Sequence, residues 1–474
     1  MAMLSSKHSH CFCFITLLLH FGLLFLICAQ PAHSSAGSTV EFLPGFHGPL
    51  PFHLQTGYVG LGESAEEVQV FCYFVKSENN PQDDPLLLWL SGGPGCTSFA
   101  GLAFEIGPFT FINQEYNGTL PNLVLRPQSW TKVSNIIFPD LPVGTGFTYA
   151  KTEAANQSSD WGLAHHAHQF LRKWLINNPE YLSHKVYVGG DSYSGIPIPA
   201  LFQEILYGNE NGVQPRINIQ GYILGNPLTT RHEINYEIPF AHGMGLISDE
   251  LYESLQKYCE GEYGNIDTNN LSCLRDYQLF RELIEEVDVS MILEPGFCGY
   301  KMFVIPPRNS LMKRSLVQKV KGISIPSKCR RLGYLQAHYW GNDDDVQKAL
   351  HVRKGTTYYW RHCNYDLNYK QDIDNSFYIH VNLSTKGYRS LIYSGDHDMT
   401  ISFLSTQAWI RSLNYSIIDD WRPWHVNGQV AGYTRTYSNG MTYATVKGAG
   451  HTAPEFTPEE CFAMFKRWIS NEHL

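Results

Sequence analysis

A serine hydroxyl becomes a nucleophile only when a base takes its proton and a carboxylate holds that base in one tautomer. Three short segments of this chain carry those groups. Gly190-Asp191-Ser192-Tyr193-Ser194-Gly195 follows the run Val186-Tyr187-Val188. The pattern predicts a strand that turns sharply into a helix with Ser192 at the elbow, and Gly190 and Gly195 are expected to let the backbone take a strained turn. An apolar strand at 391–395 opens into Ser394-Gly395-Asp396-His397-Asp398, and the run Val446-Lys447-Gly448-Ala449-Gly450-His451 ends another strand in a glycine turn. Of twenty histidines, His451 is the one placed behind a strand and a Gly-x-Gly turn near the C-terminus. Asp396 and Asp398 compete for one turn, and only one can reach the imidazole. Asp398 is preferred, because an acid of this kind follows its strand by a few residues, and Asp396 is then expected to shape the turn. Acyl transfer also needs donors aimed at a developing oxyanion. The amide of Tyr193 offers one, and the loop Gly92-Gly93-Pro94-Gly95 offers a second through Gly93.

The elements that must position these groups read as alternating strands and helices. Strands are expected over 68–76, 85–90, 135–138, 219–224, 388–393 and 441–446. Residues 160–177 form a helical pattern with Leu163, Ala167, Phe170, Leu171 and Trp174 on one face. Strand, helix, strand in that order argues for a parallel sheet. The chain order Ser, Asp, His on such a sheet is that of the α/β hydrolases. From about 230 to 340 the alternation gives way to helical stretches, a Pro/Lys-rich segment at 305–325 and four cysteines, which reads as an insertion over the strand ends. The domain reading is therefore a leader over 1–35, a core over 36–229, a helical cap over 230–340, and the rest of the core over 341–474 with the acid and the histidine. The stretch 308–321 is an exposed, cleavable loop or simply a solvated one.

Composition limits the alternatives. With 43% apolar and 17% charged residues the chain is globular, and a net charge of −9 argues against a nucleic-acid partner. The pairs Lys313-Arg314 and Arg330-Arg331 read as solvated faces. Residues 11–28 are an apolar run after Lys7, followed by small residues, and read as a cleaved signal peptide, with a retained anchor as the competing reading. No second such run follows, so after cleavage no membrane partner is expected. Eight cysteines lie beyond the leader, an even number that permits disulfides whose connectivity sequence alone does not give. No Cys-x-x-Cys pair favours zinc, and no metal or other cofactor is expected. Sequons at Asn117, Asn156, Asn270, Asn382 and Asn414 fit a glycosylated protein of the secretory pathway.

These residues resemble the serine carboxypeptidases, and within them the plant serine carboxypeptidase-like acyltransferases. The resemblance runs through nearly the whole mature chain. It is carried by Leu43-Pro44-Gly45-Phe46, by Trp89-Leu90-Ser91-Gly92-Gly93-Pro94-Gly95-Cys96, by Pro142-Val143-Gly144-Thr145-Gly146-Phe147, and by Gly450-His451-Thr452-Ala453-Pro454-Glu455. It implies an α/β-hydrolase fold with a mostly parallel central sheet and a helical cap insertion. It also implies Ser192, Asp398 and His451 as triad, and Gly93 with Tyr193 as oxyanion hole. Disulfides Cys96 to Cys363, Cys259 to Cys273 and Cys298 to Cys329 follow from the same likeness, with Cys72 and Cys461 free, and so does residence in the vacuole.

Departures from the peptidase pattern shape the functional expectation. In the peptidases an asparagine stands where this chain has Ser91 and a glutamate where it has Asp191, and these, with a glutamate that Glu105 matches and the adjacent Gly92, grip a peptide's C-terminal carboxylate. Loss of the amide and withdrawal of the acid by one methylene should leave that carboxylate underserved. The Gly-Asp-Ser-Tyr-Ser-Gly form resembles the acyltransferase branch, whose members move an acyl group from a 1-O-β-glucose ester to an alcohol or a second sugar. Hydrolytic carboxypeptidase is the alternative, and a weakly active companion subunit of a related acyltransferase is a third. Ile401-Ser402 replaces a usual proline and is expected to loosen the acid loop. Pro139-Asp140-Leu141-Pro142 also departs from the family's wording.

Overall fold

Leu86–Leu90 is buried at every position. Leu86, Leu88 and Leu90 join the apolar cluster on one side of the sheet, and Leu87 and Trp89 join the cluster on the other. A strand covered on both faces reads as a continuous apolar run, which is the mark of a parallel sheet with helices on either side. The computed structural model describes residues 37–62, 67–114, 116–296, 330, 332–357 and 359–474. The predicted leader, the 305–325 segment and the Cys298–Cys329 pair lie outside the described residues.

Twelve strands form one sheet. Its centre runs Asn135–Pro139, Leu86–Leu90, Val186–Asp191, Ile219–Gly225, Arg389–Gly395 and Met441–Val446, each parallel to the next. Antiparallel strands flank it. Val68–Val75 and Leu54–Leu61 extend one side, and the long ribbon Gln429–Tyr437 with Ile417–Val426 closes the other. The fold is that of an α/β hydrolase with a mixed sheet whose central strands are parallel. Helix Asp160–Asn177 starts where the Ser159 hydroxyl accepts the Gly162 amide at 3.1 Å, and buries Leu163, Ala167, Phe170, Leu171 and Trp174 against the sheet. The edge ribbon went unread in the sequence because its outer strand is mostly exposed and carries Asp419, Asp420, Arg422 and Pro423, a pattern with no clean alternation.

Between Ile219–Gly225 and Arg389–Gly395 lie helices Glu237–Gly243, Asp249–Cys259 and Leu271–Leu283, whose apolar faces form a separate cluster around Ile238, Phe240, Leu255 and Phe280. The Cys259–Cys273 disulfide ties two of them together. Met399, one residue past Asp398, packs into that cluster, and the amides of Met399 and Thr400 both donate to the Val289 carbonyl. These helices therefore rest directly on the acid turn. Of the sequons, Asn117, Asn156, Asn382 and Asn414 are exposed. Asn270 is half-buried and caps Leu271–Leu283: its Oδ1 accepts the Cys273 amide at 3.1 Å, and its Nδ2 donates to the Tyr258 carbonyl.

Candidate active site

The strand Val186–Asp191 ends at the sheet's carboxyl edge and passes at once into the short helical turn Ser192–Gly195. Ser192 itself has φ 56°, the left-handed region that costs a side-chain-bearing residue about 1–3 kcal/mol. The sequence places that strain on Gly190 and Gly195, and here the structure differs. Those glycines are required by close approach, since a Cβ on Gly190 would lie 2.3 Å from the Leu90 carbonyl oxygen and one on Gly195 2.3 Å from that of Leu228. The nucleophile carries the strained turn, and its glycines let the neighbouring strands and loops close in around it.

Three distant segments converge on Ser192. His451 Nε2 lies 2.8 Å from Ser192 Oγ, and His451 Nδ1 lies 2.7 Å from Asp398 Oδ2. Asp398 is fully buried and accepts three further bonds, from Asn226 Nδ2 at 2.8 Å and from the amides of Thr400 and Ile401 at 2.8 and 3.3 Å. A carboxylate so served can only accept from the imidazole, which puts the proton on Nδ1 and leaves Nε2 free to take one from serine. The expected loosening at Ile401-Ser402 does not occur. Both residues are buried, and the Ile401 amide, a donor that proline would lack, binds the acid. Asp396 faces away from His451, accepting the Gly448 amide at 2.7 Å and pairing with His397 at 2.6 Å, so it braces the turn that carries the histidine.

Asn226 is the group that the sequence did not reveal. It has φ 42° just after strand Ile219–Gly225, and besides binding Asp398 it accepts the Gly395 amide at 3.1 Å. It thus couples the end of one strand to the acid turn of the next. Its only signal was its place in Gly225-Asn226-Pro227. Asp160 acts similarly on the other side of the serine. This buried acid accepts the hydroxyls of Tyr193 and Tyr369 at 2.7 and 2.8 Å and the Ile373 amide at 2.9 Å, fixing the residue that follows the nucleophile.

The loop 91–97 packs against the elbow so tightly that any side chain at Gly92 must displace its neighbours. A Cβ on Gly92 would stand 2.6 Å from Ser192 Cβ and 2.9 Å from the Tyr193 amide nitrogen, and Gly93 has φ 115°. This loop is held from outside by the Cys96–Cys363 disulfide, by Asn364 N donating to the Gly95 carbonyl at 2.9 Å, and by Thr97 N donating to the His362 carbonyl at 2.9 Å. From beneath, buried Asp140 accepts the Thr97 hydroxyl, the Ser98 amide at 3.1 Å and the Phe147 amide at 3.0 Å. The unusual Pro139-Asp140-Leu141-Pro142 segment is therefore a brace under the loop. Cys96, His362 and Cys363 form the one cluster of potential metal ligands among the described residues, and both sulfurs are in the disulfide. Gly92→Ala is expected to fold and to lower turnover about 10²–10³-fold, because the methyl displaces the serine or covers an amide aimed at the oxyanion. Steady-state kinetics beside circular dichroism checks this, and a fully active variant would show that the loop has slack.

Ser91, Glu105 and Asp191, the residues expected to bind substrate, lie close together beside the elbow. Asp191 Oδ1 accepts the Gly92 amide at 3.2 Å, while Ser91 Oγ and Glu105 Oε2 are buried with no hydrogen-bond partner among the described residues. Burial raises the Glu105 carboxyl far above its ordinary range, and the charges of Asp191 and Glu455 raise it further. Burial raises Asp191 as well, opposed by His451 and by the Gly92 amide. Burial thus biases both carboxyls toward the neutral form, in which a carboxyl O–H can donate a hydrogen bond. The free cysteines, Cys72 and Cys461, are buried away from this chemistry.

Known proteins resemble this chain along nearly its whole length. A family model described as serine carboxypeptidase matches residues 44–471. Serine carboxypeptidase-like 7 of Arabidopsis thaliana is 51% identical over 453 residues, covering 95% of this chain and 98% of the relative. Serine carboxypeptidase-like 19 of the same plant is 50% identical over 466 residues, covering 96% and 99%. Among solved structures, Kex1(delta)p, a prohormone-processing carboxypeptidase from Saccharomyces cerevisiae, superposes with a TM-score of 0.72 over 93% of this chain and 97% of that one. At 19% identity that likeness shows the fold alone.

Proposed function

The chain belongs to the serine carboxypeptidase family, and on that premise we propose that it is an acyltransferase that takes the acyl group of a 1-O-β-glucose ester and passes it to the hydroxyl of an alcohol or a second sugar. One observation carries the choice of transfer over peptide cleavage. Where the family's peptidases resemble one another in an asparagine and a glutamate, Ser91 presents a short hydroxyl and Asp191 is drawn back onto the Gly92 amide. A peptide's C-terminal carboxylate loses donors on two sides, whereas a neutral sugar hydroxyl needs fewer.

The reaction follows from the relay. Ser192 Oγ attacks the ester carbonyl as its proton passes to His451 Nε2, and Asp398 stays ionised against the resulting imidazolium. The carbon–oxygen bond to glucose breaks, and glucose leaves with that proton. The acceptor hydroxyl then gives its proton to His451 and attacks the acyl-serine, and Ser192 Oγ departs with the proton returned. Amides at Tyr193 and Gly93 face the tetrahedral oxygen in both halves. The relay is complete, which favours a working enzyme over a companion subunit. The work is assigned to the secretory pathway and, within it, to the vacuole. No described helix is long and apolar enough to cross a membrane.

The test is to offer purified protein a panel of phenolic and aliphatic glucose esters, with and without alcohol acceptors, beside a blocked dipeptide. Ester product supports the proposal, and free acid from esters or cleavage of the dipeptide supports hydrolysis instead. Silence until a related chain is added would point to the companion role. Ser91→Asn with Asp191→Glu is expected to raise dipeptide cleavage relative to acyl transfer by about tenfold or more, one or two restored hydrogen bonds to a charged group being worth about 1.5–3 kcal/mol each. An unchanged ratio would mean that these positions do not set specificity.

A further inference from the structure

We infer that the cleft beside the sheet's outermost strand is the seat of the protein's own N-linked glycan, carried on Asn414. The inference is independent of the acyl-transfer reading. A cavity of about 410 Å³ opens next to Ile417–Val426, with Asn414, Arg411, Ile417, Trp421, Arg435 and Tyr437 in its wall. That volume lies in the range of sites that take a small ligand. Its position is unusual for its composition. Ile417–Val426 ends the strand order, and it leaves Ile417, Ile418 and Trp421 exposed at 46%, 66% and 37%, with Tyr433 of the neighbouring strand at 43%. Asp419, Asp420, Arg422 and Pro423 guard the backbone of that edge, but the exposed apolar side chains form a patch that invites a partner unless something covers it.

The cleft is also built. Trp421 lies parallel to Tyr433, with centroids 5.7 Å apart and planes 8° apart, and is backed by Tyr443 at 6.0 Å. Arg435 pairs with Asp420 at 2.8 Å and sits over the Trp421 ring. Flat aromatic faces bordered by fixed polar groups suit the C–H face of a sugar ring, whose hydroxyls point outward to donors and acceptors. The Arg411 guanidinium, on the same wall, makes no ion pair among the described residues and is available to those hydroxyls. Asn414 delivers the sugar. It stands in the sequon Asn414-Tyr415-Ser416, it is exposed, and its side-chain amide has no hydrogen-bond partner among the described residues, unlike the capping amide of Asn270. It follows helix Phe403–Ser412 at φ 54°, a left-handed position that asparagine tolerates, so the attachment point is held by the backbone at the rim of the cleft. The first N-acetylglucosamine residues then cover the aromatic platform and the strand edge together.

The test uses the full chain secreted with high-mannose glycans. Glycopeptide mass spectrometry is expected to find Asn414 occupied, and a native-state endoglycosidase is expected to release that glycan at least tenfold more slowly than the glycan on the exposed Asn117. Trp421→Ala should bring the two release rates together. Asn414→Gln should speed amide hydrogen exchange across 417–437 several-fold, whereas Asn117→Gln leaves that segment unchanged and neither variant alters catalysis. An unmodified Asn414, or equal release from the two sites in the unaltered protein, would overturn the inference.

Discussion

Ser192→Ala is expected to lower turnover by roughly four to six orders of magnitude while the protein still folds and secretes. The size of the effect follows from the relay. With no hydroxyl 2.8 Å from His451 Nε2, no acyl-enzyme forms, and the remaining amides and binding surface supply only the residual catalysis seen when a triad is broken. Alanine keeps the backbone demand at φ 56°, so the variant should be about as stable as the parent, and Ser192→Gly, which accepts that angle freely, should be equally inactive and about 1 kcal/mol more stable than Ser192→Ala. Turnover of a good ester substrate, measured beside thermal unfolding of the two variants, checks both statements. Activity near the parent level in Ser192→Ala would remove the nucleophile from the account.

Asp398→Asn is expected to cost about 10⁴-fold in turnover, and Asp396→Asn less than tenfold. The two acids sit in one turn, but their partners differ. Asp398 Oδ2 accepts from His451 Nδ1, Asn226 and Ile401, and its Oδ1 accepts from Thr400. An asparagine there either turns its NH₂ toward the imidazole, which selects the wrong tautomer and sets it against the Asn226 and Ile401 donors, or turns it against the Thr400 amide. Asp396 serves Gly448 and His397 and touches neither Ser192 nor the Nε2 proton. Comparable losses in both variants would mean that the turn as a whole, and not one carboxylate, orients the histidine.

The contrast between these two acids also marks how far the sequence could be read. Ser192 and His451 announce themselves because each ends a strand in a turn that demands glycine, a local signal. Spacing is all that separates Asp398 from Asp396 in the sequence, and the physical reason lies in Asn226, which follows its strand 172 residues before Asp398. The Asp160–Tyr193 bond and the Asp140 brace are non-local in the same way. The central strands were legible because burial on both faces makes them uniformly apolar, and helix 160–177 because one face is buried at helical spacing. The edge ribbon was not, since a strand with few buried positions carries little periodic signal. The sequence suggests flexibility for the glycines around Ser192, whereas the structure needs Gly92, Gly190 and Gly195 for space.

The capture of an acyl group on Ser192 tests the central claim most directly. Protein mixed with a 1-O-acyl-β-glucose, quenched in acid within the first turnovers and digested, is expected to show the peptide containing Ser192 heavier by one acyl group, with glucose released in equal amount. Added alcohol should speed the decay of that adduct and collect the acyl group as ester in preference to free acid. An adduct that never forms, or one that decays to free acid at a rate indifferent to every acceptor, would contradict the account.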